Sequence, residues 1–117
     1  MKKKIIILGS TGSIGKNLIN IIEKEKNKFQ IDLLSARKDY KTLFKQVKKF
    51  KVKNVIITDP SSYLILKKKT NKLDVNIFNN YRELDTILKK KVDYVMSSIV
   101  GVDGLYPTID IIKYVYI

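Results

Sequence analysis

The stretch Ile5-Ile6-Ile7-Leu8-Gly9-Ser10-Thr11-Gly12-Ser13-Ile14-Gly15 decides how this chain folds. Its four consecutive apolar residues predict a buried strand, and a helix is predicted just after it by the apolar residues Leu18, Ile19, Ile21 and Ile22. Between the two elements, glycines at three-residue spacing let the backbone turn sharply and bring main-chain N–H groups and a helix N-terminus against a phosphate. The pattern therefore predicts a nucleotide-binding unit of strand, turn and helix.

The length and composition indicate one globular domain. The chain has 117 residues, of which 44% are apolar, and it contains neither cysteine nor histidine. Disulfides, thiolate metal sites and the commonest general base are therefore excluded. No apolar run is long enough to span a bilayer, and the basic start lacks the features of a signal peptide. We expect a cytoplasmic protein without a membrane partner, or the mature part of a protein imported into a plastid-type organelle.

The net charge of +13 raises the possibility of a nucleic-acid partner. Of the 24 basic residues, however, all except Arg37 and Arg82 are lysine, whereas base recognition and bidentate phosphate contacts favour arginine. Lysine, isoleucine and asparagine are abundant together, which is typical of an AT-rich coding sequence. We expect solvated lysine surfaces and no nucleic-acid partner, and keep a basic nucleic-acid-binding module as a less favoured alternative.

Strand and helix patterns alternate five times along the chain. The predicted strands are Lys4–Leu8, Phe29–Ser35, Asn54–Asp59, Val75–Phe78 near the sheet edge, and a segment within Val92–Val100. The predicted helices run from 13 or 14 to about 26, from 40 to about 50, from 60 into a lysine-rich end, from 81 to about 90 and from 105 to about 114. This alternation predicts an α/β fold: a Rossmann-like, doubly wound, mostly parallel sheet in a single domain.

Helix ends and packed faces are also predicted. Asp39 and Asp59 are expected to cap the second and third helices, with Pro60 at the first helical position, and Asn80 with Glu83 resembles a capping box. The residues expected to face inwards are Ile14, Leu18, Ile21 and Ile22 in the first helix, Leu43, Phe44, Val47 and Phe50 in the second, and Tyr63, Leu64 and Leu66 in the third.

The glycine turn is interpreted as a phosphate site. Its spacing, G-x-x-G-x-x-G, differs from the standard dinucleotide fingerprint, and no Gly-Lys-Ser/Thr follows as a P-loop requires. The hydroxyls of Ser10, Thr11 and Ser13 add groups that can bond phosphate oxygens alongside the main-chain N–H groups.

The tip of the second strand indicates which cofactor is bound. NAD enzymes place an acidic residue there for the ribose 2′-OH, whereas NADP enzymes place groups that accept a 2′-phosphate. This chain has Ser35-Ala36-Arg37-Lys38, with two positive charges and no carboxylate before Asp39. NADP(H) is favoured, although both charges also fit a lysine-rich solvated surface. Ser97 and Ser98 end the last strand. Their hydroxyls are expected either to contact the cofactor's far ribose or to form hydrogen bonds with nearby main-chain groups, and the two alternatives are equally favoured.

Three stretches together resemble the amino-terminal domain of 1-deoxy-D-xylulose 5-phosphate reductoisomerase. They are the segment Lys4–Gly15, the tip Ser35-Ala36-Arg37-Lys38-Asp39, and Val92–Thr108, which contains Ile99-Val100-Gly101-Val102-Asp103-Gly104-Leu105-Tyr106-Pro107-Thr108. The resemblance runs from residue 1 to about residue 113. It implies an NADPH-dependent oxidoreductase that uses Mg²⁺ or Mn²⁺ to isomerise and reduce its sugar-phosphate substrate to 2-C-methyl-D-erythritol 4-phosphate in non-mevalonate isoprenoid biosynthesis.

The resemblance also implies a set of cofactor-binding residues. Thr11, Gly12, Ser13 and Ile14 would hold the NADPH pyrophosphate. Gly9 and Ser10 of the same turn, and Ser98 at the end of the last strand, are added to the predicted cofactor-binding residues from their positions in the sequence alone. Arg37, Lys38 and Asp39 would lie at the adenosine ribose phosphate, in a stretch that usually reads Gly-Lys-Asn in the family. Arg37 and Asp39 are therefore departures from the family pattern.

The resemblance stops at Lys113-Tyr114-Val115-Tyr116-Ile117, where the family continues with a Gly-Lys turn and then a catalytic domain. We therefore expect residues 1–117 to be an NADPH-binding domain of a truncated reductoisomerase. Such a chain is expected to lack catalytic residues and metal ligands, to be inactive alone and to form homodimers only in its full-length form. Another NADP-dependent reductase with a similar turn is the main alternative.

Overall fold

The computed structural model describes residues 2–82 and 92–97, which form a five-stranded parallel sheet with three helices. The elements are β1 Lys3–Leu8, α1 Ser13–Lys24, β2 Phe29–Ala36, α2 Tyr40–Phe50, β3 Asn54–Ile57, α3 Pro60–Lys69, β4 Asn76–Phe78 and β5 Tyr94–Ser97. The predicted α/β fold is confirmed. The helices predicted over 81–90 and 105–114 lie outside the described residues, apart from Tyr81 and Arg82.

The strand order is β4-β3-β2-β1-β5, and every neighbouring pair is parallel. From β1 to β4 the chain adds strands in one direction, and β5 then pairs with the free side of β1. The order of the strands therefore reverses between β1 and β5, and the carboxyl ends at such a reversal are where doubly wound sheets bind ligands. The predicted edge position of β4 is confirmed.

Both faces of β1 are buried, which explains its uninterrupted apolar run. Ile5 and Ile7 belong to a core cluster with buried residues of all three helices, whereas Ile6 and Leu8 belong to a second cluster with Leu33, Ile56 and Val92. Alternate residues of a strand point to opposite faces, so the two clusters lie on opposite sides of the sheet. All four β1 residues are fully buried.

A β-bulge adjusts β2 against β1. Ile5 pairs with Ile31 but Ile6 pairs with Leu33, so Asp32 is an extra residue in the ladder. After the bulge, the register continues to the pair Leu8 and Ser35. The first glycine after β1 therefore lies beside the last residues of β2.

The packed face of α1 agrees with the prediction only in part: Ile22 is buried and Leu18 packs partly buried against the core, as predicted. Its buried residues are Gly15, Ile19 and Ile22, whereas Ile14 is 62% exposed and Ile21 is 61% exposed. Seven residues make about two turns of helix, so Ile14 and Ile21 share one face, about 100° away from the face that carries Gly15. The prediction failed for Ile14 and Ile21 because the tight contact of Gly15 with the turn fixes the rotation of the helix about its axis.

The predicted caps of α2 and α3 are confirmed. Asp39 Oδ1 accepts a hydrogen bond from Thr42 N at 3.1 Å, and Asp59 Oδ2 accepts one from Ser62 N at 3.1 Å, with Pro60 at the start of α3. In α3 the buried residues are Ser62 and Leu66, while Leu64, predicted to pack, is 60% exposed. Leu66 lies about one turn after Ser62 and on the same face, whereas Leu64 is two residues from each of them and therefore lies on the other side of the helix.

The second helix follows its prediction. Leu43 and Val47 are buried, and Phe44 and Phe50 pack half-buried against the same cluster, whereas the exposed face carries Lys45, Lys48 and Lys49. Among residues 2–82 and 92–97, no helix combines the length and the apolar character that crossing a bilayer requires.

Candidate functional site

The glycine turn is fixed to the end of β2 by main-chain hydrogen bonds. Gly9 N and Ser10 N both donate to the Ser35 carbonyl oxygen, at 3.0 and 2.9 Å, and Gly9 N also lies 3.0 Å from Ser35 Oγ. Gly9 has a φ of 77°, in the left-handed region that favours glycine. The chain therefore leaves β1 in a bend that residues with a side chain rarely adopt.

Gly15 and Gly12 serve the turn in different ways. A Cβ atom on Gly15 would overlap the carbonyl oxygen of Gly9 and would lie 2.7 Å from Ser10 Cα. A Cβ on Gly12 would meet nothing nearer than the same oxygen at 4.0 Å, and the φ of Gly12 is an ordinary −75°. The fold thus requires glycine at position 15, whereas position 12 is open on its outer side.

The N-terminus of α1 is open to an anion. Its N-cap, Gly12, provides no side-chain hydrogen bond, and the first turn contains no acidic residue. Gly12, Ser13 and Ile14 are exposed. The first N–H groups of a helix carry partial positive charge and need partners, so this end can bind a phosphate.

Ser10 lies inside the turn rather than on its outer surface. It is fully buried, and its hydroxyl donates to Gln46 Oε1 at 2.7 Å. The sequence suggested that this hydroxyl would face a phosphate, whereas in the fold it faces α2, because the bend at Gly9 directs it towards the core. The side chains of Thr11, half-buried, and Ser13, exposed, remain accessible.

Gln46 is a contact residue that sequence reasoning missed. Its Nε2 donates to the Ser10 carbonyl oxygen at 2.9 Å, and the residue is only 6% exposed. A signal was present in the sequence, since Gln46 interrupts the apolar face of α2 between Leu43 and Val47. A polar residue in a buried stripe usually has a specific partner.

Tyr81 contacts the turn indirectly, through the side chain of Ser35. The Tyr81 hydroxyl donates to Ser35 Oγ at 2.9 Å, so Ser35 receives contacts from both the turn and the second face of the sheet. Burial raises the pKa of Tyr81 above its usual value, and the hydrogen bond with Ser35 lowers it in part. Tyr81 therefore favours its neutral form beside the turn.

The basic tip of β2, Arg37 and Lys38, lies at the same edge of the sheet as the turn. Both side chains are exposed, while their carbonyl oxygens accept hydrogen bonds from Asp59 N at 2.9 Å and Tyr40 N at 2.7 Å. Since the preceding residue pair, Leu8 and Ser35, is in register, the turn and the tip leave the sheet together. Asp39, the third residue predicted here, uses its carboxylate as the cap of α2.

Asp59 places a negative charge beside the basic tip. Hydrogen bonds from the backbone N–H and the hydroxyl of Ser62 lower the pKa of Asp59, and the charges of Lys38 and Arg37 lower it further. The carboxylate is therefore ionised at neutral pH. It partly offsets the positive charge of the tip.

The end of β5 completes the edge. Ser97 pairs with Leu8, so β5 ends beside the start of the glycine turn. Ser98, the other predicted residue at this end, lies outside the described residues. Within the described part of the chain, no group of three or more acidic side chains could hold a metal ion.

Comparison with known proteins shows the family. A model of the family described as 1-deoxy-D-xylulose 5-phosphate reductoisomerase matches residues 5–115. The chain belongs to this reductoisomerase family. The resemblance inferred from Lys4–Gly15, from the tip Ser35–Asp39 and from Val92–Thr108 is therefore confirmed, and the alternative of another reductase family is excluded.

The similarity covers nearly all of this chain and a minor part of each relative. The reductoisomerase of Pelagibacter ubique (strain HTCC1062) is 52% identical over 114 residues, which are 96% of this chain and 29% of that protein. The solved reductoisomerase from Zymomonas mobilis in complex with NADPH matches with a TM-score of 0.88 and 29% identity, over 97% of this chain and 30% of that one.

A second solved reductoisomerase, in complex with NADPH, fosmidomycin and magnesium, matches with a TM-score of 0.80 and 30% identity, over 91% of this chain and 26% of that one. The chain thus spans less than a third of the length of these reductoisomerases.

Proposed function

We propose that this chain is the NADPH-binding part of a reductoisomerase that isomerises and reduces 1-deoxy-D-xylulose 5-phosphate to 2-C-methyl-D-erythritol 4-phosphate. One observation carries the proposal: the uncapped start of α1 and the basic tip Arg37-Lys38 lie at one edge of the sheet, beside the reversal of strand order. NADPH carries a pyrophosphate and a 2′-phosphate, which match these two positive regions. Two solved relatives are complexes with NADPH.

We assign the pyrophosphate to the outer side of the turn. There the N–H groups of Thr11, Gly12, Ser13 and Ile14 and the hydroxyls of Thr11 and Ser13 would bind phosphate oxygens, since Gly12 leaves room for close approach. Gly9 and Ser10 would shape the turn from within. NADPH supplies the hydride of the reaction, and the residues of this chain bind and orient it.

We assign the 2′-phosphate to Arg37 and Lys38. Their side chains are exposed, while their carbonyl groups are held by Asp59, the N-cap of α3, and by Tyr40 at the start of α2. The two side chains can therefore reach a phosphate without a movement of the sheet. Asp39 would fix the start of α2 beside them, and Ser98 would lie near the far ribose. Residues 1–117 would then form one cofactor-binding domain.

The remaining expectations belong to the same proposal. The proposed substrate is a sugar phosphate. Among residues 2–82 and 92–97, no cluster of three or more acidic side chains could hold the Mg²⁺ or Mn²⁺ of the reaction. We propose a cytoplasmic location, with a plastid-type organelle as the alternative, and a homodimer for the full-length enzyme. We expect no nucleic-acid partner, so duplex DNA should not compete with NADPH.

Titration of the 117-residue chain with NADPH and with NADH tests the cofactor assignment. We expect tighter binding of NADPH. The double variant Arg37→Ala/Lys38→Ala should weaken NADPH binding by roughly 10- to 100-fold and leave NADH binding nearly unchanged, because charge-assisted hydrogen bonds to the 2′-phosphate are lost.

The control variant Lys24→Ala/Lys26→Ala removes two exposed charges at the other end of α1. It should leave both affinities unchanged, apart from a small general effect of net charge. Equal affinities for NADPH and NADH in the wild type, or an equal effect of the two double variants, would show that the 2′-phosphate assignment is wrong.

A further inference from the structure

We propose that Gln46 is a positioning residue that holds the glycine turn in the shape required for pyrophosphate binding. The inference deepens the proposed function and rests on it for its link to the cofactor. Gln46 has no place on the outer surface of the turn, because it is 6% exposed and lies on the inner face of α2. It acts through Ser10.

Both polar atoms of the Gln46 side-chain amide form hydrogen bonds with Ser10. Nε2 donates to the Ser10 carbonyl oxygen at 2.9 Å, and Oε1 accepts from the Ser10 hydroxyl at 2.7 Å. Both contacts are buried and join residues 36 positions apart in the chain. A buried amide costs free energy unless it is paired, so this pair is satisfied only while Ser10 keeps its position.

Ser10 is held on its other side by β2. Its N–H donates to the Ser35 carbonyl oxygen at 2.9 Å, so both peptide groups of Ser10 have fixed partners. The N–H groups assigned to the pyrophosphate begin at the next residue, Thr11. The orientation of the peptide plane between Ser10 and Thr11 therefore depends directly on the hydrogen bond from Gln46.

Gln46 also links the two phosphate regions. It lies in α2, whose first residue, Tyr40, donates its N–H to the Lys38 carbonyl oxygen at 2.7 Å. Through one rigid helix, the turn is thus tied to the basic tip. A shift of α2 relative to the turn would change the separation between the sites for the pyrophosphate and for the 2′-phosphate.

The variant Gln46→Met tests this role, because methionine has a similar length but forms neither hydrogen bond. In the full 117-residue chain we expect NADPH and NADH affinities to fall together by about tenfold, the usual effect of losing one or two neutral hydrogen bonds. This result would differ from that of Arg37→Ala/Lys38→Ala, which should weaken the binding of NADPH but not that of NADH. In the absence of cofactor, amide hydrogen exchange of Gly9 and Ser10 should become about tenfold faster.

The control variant Val47→Ala removes buried apolar volume from the next residue of α2. It should lower the melting temperature but leave the NADPH and NADH affinities unchanged. At a temperature where each variant is folded, the hydrogen-exchange rates of the Gly9 and Ser10 amides should also stay the same. If Gln46→Met does not fold, Ser10→Ala removes one of the two hydrogen bonds and should give a smaller effect in the same direction.

The outcomes separate the two proposals. A wild-type chain that does not bind NADPH contradicts the proposed function, and the exchange of Gly9 and Ser10 then decides the role of Gln46 by itself. Unchanged exchange of the turn amides in the Gln46 variant overturns the positioning role. In a wild type that binds NADPH, unchanged cofactor affinity in that variant overturns it as well.

Discussion

Gly15, in the first turn of α1, packs directly on the carbonyl group of Gly9. A Cβ at position 15 would overlap that oxygen and would lie 2.7 Å from Ser10 Cα, so two backbone segments meet where only a glycine fits. The contact brings the start of α1 against the end of β1. It also determines which face of α1 packs on the sheet.

Gly15→Ala should therefore be strongly destabilising. Its neighbours are backbone atoms that cannot rotate away, so α1 must shift, at a cost of about 3 kcal/mol or more in the free energy of unfolding. NADPH affinity should fall as well, since the N–H groups of the first turn move. Chemical denaturation and cofactor titration measure the two effects.

Gly12→Ala is the matched control. Its Cβ would lie 4.0 Å from the nearest atom and its φ is −75°, so the free energy of unfolding should change by less than about 1 kcal/mol. NADPH affinity should nevertheless fall, because the methyl group occupies the space assigned to the pyrophosphate. Equal stability losses for the two alanine variants would contradict the packing of Gly15.

Lys51 is a site where glycine should increase stability. It ends α2 with a φ of 52°, and it is the one non-glycine residue with positive φ in the described part of the chain. Glycine removes the steric cost of this conformation, so Lys51→Gly should raise the free energy of unfolding by up to about 1 kcal/mol. The same substitution at Lys45, exposed within α2, should lower it by about 1 kcal/mol. Thermal denaturation of both variants tests the sign at each position.

Asp32, the bulged residue of β2, should make stability depend on pH. Burial raises its pKa, the charge of Lys4 and a hydrogen bond from Gln30 lower it in part, and Asp93 raises it. Protonation thus favours the folded state: the gain is complete below the unfolded pKa of about 4 and is lost as pH rises through the folded pKa.

At pH 7 the ionised Asp32 carboxylate is half-buried, so Asp32→Asn should stabilise the protein, by less than about 1 kcal/mol because the site is still partly hydrated. The advantage should disappear below pH 4. Asp74→Asn, at an exposed carboxylate that pairs with Lys53, should bring no such gain. Denaturation curves from pH 3 to pH 8 measure the difference, and an advantage that grows towards acid pH would contradict the burial argument.

Tyr81→Phe removes the hydrogen bond to Ser35, the residue that holds the first glycine of the turn. The loss of the hydrogen bond to Ser35 Oγ should cost about 1 kcal/mol in the free energy of unfolding. Because the pKa of Tyr81 is raised, its neutral form favours folding, and this contribution is lost as pH rises above about 10 through the folded pKa.

The wild type should therefore lose stability in alkali faster than the Phe variant does. Tyr63→Phe, whose exposed hydroxyl contacts Lys67, is the control and should change little. Urea denaturation at pH 8 and at pH 11 compares the three proteins.

The fold could be predicted because local patterns and burial agree. The apolar run of β1 is buried on both faces, and the Asp39 and Asp59 caps bond the backbone of their own helices. These interactions involve neighbouring residues or simple burial. Ile14, Ile21 and Leu64 were placed wrongly because apolar character does not say which side of a helix meets the sheet. That rotation depends on contacts with distant residues, such as Gly15 on Gly9.

The sequence by itself determined the strand–turn–helix unit, the basic tip of β2 and the family, since these depend on residue types at short spacing. Only the tertiary structure decided that Ser10 faces inwards and that Gln46 holds it. The reason is physical: hydrogen bonds between residues 36 positions apart form only after α2 packs beside the turn, and no local pattern encodes that distance. The glycine turn is thus local in its sequence, while its exact shape depends on α2, a helix that follows the next strand along the chain.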